Sequence, residues 1–483
     1  MLPQILCLAA TDSGGIAGLN MDIRCASALN VHARTVVTAT SSQNHHGLTA
    51  LNPVPDDSFI SQLHSHDGAP IQAVKIGVPG NARQLSLTAD WLASQTRPVI
   101  LDPVFTATIG GDFYDASSLT ELRQALLPQV TLITPNIPEA ERLCNCRILT
   151  PDDMITAAQQ LLGFGIQAVL LKGGHLNGQF CCDYYVDQQR AFWLRTTRSD
   201  ATNQRATGCL LSTSITSALA LGYSLADAVV IGRMAISQGL RQGYGLAQQE
   251  GPVRINHFPD HPQDLPELYD HYSDATVSPF PACDRNLGLY PVVDDVGWIQ
   301  RLLPFGLQTI QLRIKNQPLT QVAQQVRQAV ALCRDSHCRL FINDYWQLAI
   351  EHKAYGVHLG QEDLTDANLA QIKTAGLRLG ISSHCHYEVA RARSLKPSYI
   401  ASGPIYPTTS KIMPWQPQGI DGLSYWRKLI PQPLVAIGGI YGDRVKAVHQ
   451  AGADGVAMIS AITASPSPET TVKQLMTLFS QHT

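Results

Sequence analysis

The sequence predicts two α/β domains in tandem: a parallel-sheet sandwich over residues 1–250 and a compact (β/α)8 barrel over residues 287–483. Three observations carry this. Short apolar runs recur in both parts, each ending in polar or glycine-rich sequence, as strands buried on both faces do. Helix-sized stretches separate the runs, so neighbouring strands are expected to pair in parallel through crossovers. Between the two parts, residues 251–286 hold six of the chain's 29 prolines, three histidines and little apolar period. That stretch reads as a linker with one short helix around residues 265–272.

In the first part the candidate strands are 5–9, 36–39, 74–76, 99–101, 132–134 and 168–171. The opening run has no basic residue before Arg24 and leads into Thr11-Asp12-Ser13-Gly14-Gly15. It therefore reads as a buried first strand, not a targeting segment. Open parallel sheets bind ligands outside the carboxyl ends of their strands, where Asp12, Lys75, Asp102, Asn136 and Lys172 fall. In the second part eight strands centre near Tyr290, Gln311, Phe341, Val357, Gly380, Ile400, Ala436 and Ala457. A long helix fits 321–333, and a last helix fits 467–481. The polar, proline-rich loop 408–419 is placed to act as a lid over the barrel's active face.

Composition bounds the function. The chain has 483 residues, 45% hydrophobic and only 15% charged, with a net charge of −3. That excludes a protein held on nucleic acid or anionic membrane by bulk basicity, and no run is long enough to span a bilayer. Phosphates, if handled, need local sites. Eleven cysteines without zinc spacing read as reduced thiols of a cytoplasmic protein. The ligands expected are small molecules, and the composition is compatible with a homo-oligomer.

The barrel strands end in chemistry. Alternation along Gln311-Leu312-Arg313-Ile314-Lys315 turns Gln311, Arg313 and Lys315 to one side, into the mouth. Asn343 and Asp344 end the third strand and Asp363 follows the fourth, so the two aspartates could share one Mg2+ with substrate phosphate oxygens. Gly438-Gly439 and Ile459-Ser460 end the last two strands, the recurrent phosphate site of such barrels. A diphosphate and a monophosphate are the ligands this set suits.

In the first part, Ala206-Thr207-Gly208-Cys209 is a glycine loop opening a helix, whose free N–H groups suit a phosphoryl group in flight. A thiol in the first helical turn is expected to have a depressed pKa and to serve as a base or anion partner.

The motifs GLYPVVD, QLRIK, FINDYW, GVHLGQEDL, GPIYPTTSK, AIGGI and ISAI, in that order, make the second part resemble thiamine phosphate synthase, a TIM barrel. The resemblance implies Mg2+-dependent coupling of hydroxymethylpyrimidine diphosphate with a thiazole phosphate. It places Gln311, Arg313, Lys315, Asn343, Ser382 and Lys411 on the pyrimidine diphosphate, with Arg313 and Lys411 stabilising the departing pyrophosphate. It places Asp344 and Asp363 on Mg2+, and Thr408, Thr409, Ser410, Gly439, Ile459 and Ser460 on the thiazole phosphate. The first part, from AATD through Lys75-Ile76-Gly77, Leu101-Asp102-Pro103-Val104 and Thr134-Pro135-Asn136 to the Cys209 loop, is similar to hydroxymethylpyrimidine and phosphomethylpyrimidine kinases. That implies a ribokinase-like fold and two ATP-dependent phosphorylations. Gln43 would touch the pyrimidine, Asn136, Glu139 and Lys172 would serve the nucleotide and its Mg2+, and Cys209 would sit in the anion hole. Ser13, Ile16, Asn20, Arg205 and Ala206 depart from the family pattern. The competing expectation is therefore a catalytically weak kinase-like module that binds pyrimidine or dimerises, attached to a working synthase.

Overall fold

Alternation along the first strand explains why the first sheet is covered on both sides. In β1 (Gln4–Asp12), Leu6 and Leu8 belong to one apolar cluster and Ile5, Cys7 and Ala9 to another. Each fully buried aliphatic side chain contributes about 1.5–3 kcal/mol, so both faces must carry helices. The computed structural model describes residues 2–44, 47–106, 113, 115–246, 250–408 and 415–480, in two compact units, Met1–Ala275 and Thr276–Thr483.

The sheet of the first unit continues through β2 (His32–Asn44), β3 (Gly47–Pro53), β4 (Ala73–Ile76), β5 (Val99–Leu101), β6 (Leu132–Ile133), β7 (Ala168–Leu171), β8 (Phe180–Asp187), β9 (Ala191–Thr197) and β10 (Glu267–Tyr269). Its order is β10-β9-β8-β7-β6-β5-β4-β1-β2-β3. The six strands expected from the sequence form its parallel centre. Strands β3, β8, β9 and β10 add antiparallel wings that apolar-run reading missed. Helix Thr207–Ala220 is buried almost throughout, and its hydroxyls return to its own carbonyls, Ser212 Oγ to Gly208 at 3.0 Å and Thr216 Oγ1 to Ser212 at 2.7 Å. That is how so many Ser and Thr are tolerated in a core helix.

The proline-rich stretch is not a free tether. Pro252 runs beside Arg205, with the Val253 N–H donating to the Arg205 carbonyl at 3.0 Å. Where a short helix was expected, β10 pairs with β9. The buried guanidinium of Arg195 holds that strand, reaching Glu267 at 2.5 Å, the Tyr269 hydroxyl at 2.6 Å and the Ser273 and Ala275 carbonyls. Beyond residue 275 the chain packs on the second unit, where the Phe280 N–H donates to the Lys396 carbonyl and Ser398 Oγ to the Pro281 carbonyl.

In the second unit, β11 (Gly288–Val293), β12 (Thr309–Leu312), β13 (Arg339–Asn343), β14 (Gly356–Leu359), β15 (Arg378–Ser383), β16 (Tyr399–Ser402), β17 (Leu434–Ile437) and β18 (Gly455–Met458) close into a parallel barrel in sequence order. All eight coincide with the strands read from the sequence. The long helix is Leu319–Asp335 and the last helix Pro468–Ser480. The barrel interior carries Tyr290, Phe341 and Tyr399, their rings 5.1–6.0 Å apart. Of the loop expected to form a lid, residues 409–414 lie outside the described residues.

Candidate active sites

The barrel mouth assembles the residues its strand ends promised. Gln311 and Asn343 are buried, Arg313 is half-buried, and Lys315 is exposed and ion-paired with Asp344. Asp344 has φ +62°, a left-handed backbone that costs a non-glycine residue about 1–3 kcal/mol and clusters at functional sites. Asp363 accepts the Gly360 N–H at 3.1 Å. Burial, and then the neighbouring charge of Asp344, push the Asp363 carboxyl up. A carboxylate raised by a second one beside it favours a cation between the two. Two carboxylates, completed by substrate oxygens, are a ligand set that suits Mg2+; among the described residues no group of three or more His, Cys, Asp and Glu could hold a metal by itself.

Gly439 has φ +63°, and a Cβ there would lie 2.4 Å from the Pro407 carbonyl oxygen. The loop after β16 thus lies directly on the loop after β17, which brings half-buried Thr408 towards Gly439. Ile459 immediately precedes the short helix Ser460–Thr463. Thr409, Ser410 and Lys411 lie outside the described residues.

Reading by strand ends missed His358. It sits inside β14, buried, with Nδ1 2.7 Å from the Tyr399 hydroxyl and Nε2 2.8 Å from Ser382 Oγ. Burial pushes its pKa down to about 4, Arg313 adds to this and Asp344 opposes it, so the ring is neutral. The signal was a lone histidine in an otherwise apolar strand, in Gly356-Val357-His358-Leu359.

In the first unit one cavity of about 1450 Å3 is lined by Asp12, Gln43, Lys75, Asp102, Asn136, Glu139, Lys172 and the whole loop Ala206–Cys209. Their roles divide. Asp12 shapes the first glycine loop, accepting the N–H groups of Gly14, Ile16 and Ala17 at 2.8–3.0 Å. Ser13 Oγ and the Gln43 backbone bond each other at 3.0 Å, which fixes where Gln43 stands. Lys75 and Asp22 form a fully buried ion pair at 2.8 Å that Thr213 completes. Asn136 and Glu139 cap helix Ile137–Cys144 reciprocally. Lys172 stands 3.6 Å from Asp102 and 3.7 Å from Glu139. Burial, reinforced by Asp102 and opposed by Lys172, pushes Glu139 up to about 7. Asp102 is 1% exposed, yet neither carboxylate oxygen has a hydrogen-bond partner in the described structure. A buried carboxylate left so is costly, and with Lys172 and Glu139 beside it, it fits a site completed by a cation and phosphate.

The loop departs from expectation twice. Cys209 does not have a depressed pKa. It faces the cavity, but burial pushes its thiol up to about 12, Lys75 pulling it down and Asp22 and Asp102 pushing it further up. The helix N-terminus is outweighed by desolvation, so Cys209 is a neutral thiol and not a base. Ala206, where the family has Gly, does not change the turn: it takes φ +67°, ψ 22°, the conformation Gly adopts easily.

These features fit a ribokinase-like domain followed by a TIM barrel, and comparison with known proteins agrees. The phosphomethylpyrimidine kinase family matches residues 12–254 and the thiamine monophosphate synthase family residues 289–462. The thiamine-phosphate synthase of Serratia proteamaculans is 55% identical over 203 residues, 42% of this chain and 96% of that protein. The Bacillus subtilis pyridoxal kinase, solved as an ADP complex, has TM-score 0.50 and 27% identity over 53% of this chain and 98% of its own. The Staphylococcus aureus pyridoxal kinase with ADP has TM-score 0.51 and 23% identity over 56% and 98%, and speaks for the fold alone. The chain belongs to the phosphomethylpyrimidine kinase family in its N-terminal half and to the thiamine-phosphate synthase family in its C-terminal half. No helix among the described residues is long and apolar enough to cross a membrane.

Proposed function

We propose that the N-terminal half makes what the C-terminal half consumes. The first would use ATP to phosphorylate hydroxymethylpyrimidine and then its phosphate. The second, a thiamine-phosphate synthase, would join the resulting diphosphate to a thiazole phosphate and release pyrophosphate. The observation that carries the kinase reading is the buried Asp102 without hydrogen bonds, facing the helix-opening loop Ala206–Cys209 across one cavity.

In the kinase half, Gln43 holds the pyrimidine. Asn136, Glu139 and Lys172 serve the nucleotide phosphates, and the loop N–H groups meet the phosphoryl group in transfer. Asp102 and Glu139 would hold Mg2+, which would draw charge from those phosphates. Cys209 lines the anion hole as a neutral thiol. In the barrel, Gln311, Asn343 and Ser382 hold the pyrimidine diphosphate, while Arg313, Lys315 and Lys411 neutralise the leaving pyrophosphate. Mg2+ on Asp344 and Asp363 would share that neutralisation. The aminopyrimidine ring can delocalise the methylene cation left behind. Thr408, Thr409, Ser410, Gly439, Ile459 and Ser460 hold the thiazole phosphate, so that the thiazole nitrogen lies in line to attack. The barrel's work is positioning, electrostatics and exclusion of water.

The test is ADP release from hydroxymethylpyrimidine, ATP and Mg2+. No ADP from folded protein with synthase activity intact would favour the competing reading, a pyrimidine-binding module, to which the neutral Cys209 lends weight. For the barrel, Asp344→Ala or Arg313→Ala should lower synthase turnover by orders of magnitude, and near-normal turnover would refute the site assignment.

A further inference from the structure

Six of the described lysines and arginines line the cavity of the first unit, and five of them have partners within the protein. Lys75 is paired with Asp22, and Lys172 stands between Asp102 and Glu139. Arg233 meets Asp183 at 3.4 Å and Arg241 meets Asp264 at 2.5 Å. Arg198 donates to the carbonyls of Gly174 and Leu176 at 2.9 and 2.6 Å. Arg205 is the sixth. It is half-buried, its Nε is buried without a hydrogen-bond partner, and its guanidinium has no ion pair or hydrogen bond among the described residues. A guanidinium drawn partly out of water and left unpaired is costly, and an anion in the cavity would offset that cost.

The backbone of Arg205 is fixed from both sides. Its N–H donates to the Gly251 carbonyl at 3.3 Å, and its carbonyl accepts the Val253 N–H at 3.0 Å. The Gly251 N–H in turn donates to Asn203 Oδ1 at 2.8 Å. A Cβ at Gly251 would lie 1.7 Å from the Tyr244 carbonyl oxygen, so only glycine allows this approach. The start of the proline-rich stretch therefore holds in place the residue that precedes the loop Ala206–Cys209.

The order of the sheet distinguishes which anion Arg205 can meet. Gln43, assigned to the pyrimidine, ends β2, whereas Asn136 and Lys172, assigned to the nucleotide, follow β6 and β7. Arg205 belongs to the side beyond them. The segment that holds it packs on helix Leu225–Gln242, where the Arg254 N–H donates to the Gly239 carbonyl at 3.2 Å. That helix reaches β8 and β9 through Arg233, which meets Asp183 and the Thr196 hydroxyl. Arg205 is thus ranged with the nucleotide and away from the acceptor.

We propose that Arg205 binds the β-phosphate of the nucleotide, beside the loop N–H groups that take the terminal phosphoryl group. The inference rests on the kinase reading above. A guanidinium offers a phosphate two parallel N–H bonds. The departure from the family pattern at this position then supplies a fixed cation to the nucleotide site.

Isothermal titration of the full-length protein with ADP and with AMP, each with Mg2+, tests this. Arg205→Gln should weaken ADP binding about 10–100-fold, the range for losing a hydrogen bond to a charged group. AMP, which has no β-phosphate, should bind within twofold of wild type. Arg205→Lys keeps the charge and loses the fork; it should weaken ADP at least threefold, and it serves where Arg205→Gln does not fold. ADP affinity unchanged within twofold in a folded variant, or AMP affinity falling as far as that of ADP, overturns the assignment of Arg205 and leaves the kinase reading standing. A wild-type protein that binds neither nucleotide, and releases no ADP from ATP and hydroxymethylpyrimidine, overturns both.

Discussion

A single methyl group should separate activity from stability in the kinase half. Gly208 opens helix Thr207–Ala220, and a Cβ there would stand 3.1 Å from Oδ2 and 3.5 Å from Oδ1 of Asp102. For Gly208→Ala two stability effects oppose each other. Alanine gains about 0.5–1 kcal/mol over glycine in a helix. Overpacking costs about 1–3 kcal/mol, at the lower end here because the neighbour is a side chain at a cavity and not backbone. The net change is about 1 kcal/mol or less, about 2–4 °C in a unit of this size. Activity should suffer far more. The methyl fills the space between the loop N–H groups and Asp102, where phosphoryl oxygens would stand, and loss of one such stabilising contact costs about 10²–10³ in kcat. ADP release and a melting curve on the same preparation measure both. A Gly208→Ala protein that melts normally and releases ADP at the wild-type rate would refute the placement of phosphoryl transfer at this loop.

Ala206→Gly should stabilise the same unit. A left-handed alanine costs about 1–2 kcal/mol, glycine's freer unfolded chain returns about 0.4–1 kcal/mol, and the net gain of about 0.5–1 kcal/mol should show in calorimetry; a lower melting temperature would mean that the methyl packs usefully. Cys209, with its thiol pushed up to about 12, should be alkylated by iodoacetamide slowly, at a rate that still rises about tenfold per pH unit between pH 8 and 10. Peptide mapping follows this, and a plateau below pH 8 would show a thiolate after all. Arg195→Ala removes the cation that holds Glu267 and the end of the first unit, and should destabilise that unit by about 3 kcal/mol, the lower end of the range for breaking a buried pair. Urea melts followed by tryptophan fluorescence would detect it, and an unchanged midpoint would show that β10 is held by backbone pairing alone.

What was legible in the sequence depended on how each element buries its surface. The barrel strands and the central strands of the first sheet are apolar runs bounded by breaks, so their number and order could be counted. The hairpin of β8 and β9 escaped because its turn carries no glycine: Asp187 builds it, accepting the Gln189 and Arg190 N–H groups at 2.7 and 2.8 Å. Strand β10 escaped because the prolines around it read as linker, while its pairing is secured by Arg195, some seventy residues upstream. The raised pKa of Cys209 escaped because a local rule, the helix N-terminus, met a global one. Lys75 lowers that pKa too, yet desolvation prevails, and desolvation is not encoded at any single position.

The same contrast separates the two kinds of site residue. Charged groups at strand ends, Arg313, Lys315, Asp344 and Asp363, announce themselves because an unpaired charge near a core is costly enough to demand a ligand or a counter-ion. Neutral polar groups carry no such signal. Tyr290 and Tyr399 are written in the sequence as core aromatics, and packing alone would account for them, since their rings meet Phe341, one tilted and one edge-on. Only the hydroxyl-to-hydroxyl contact of 2.8 Å, with Gln311 on one side and His358 on the other, makes them members of a buried polar network. Replacing either tyrosine by phenylalanine would keep nearly all the packing and break that network, which is why neutral polar groups of this kind are found only once the side chains are seen together.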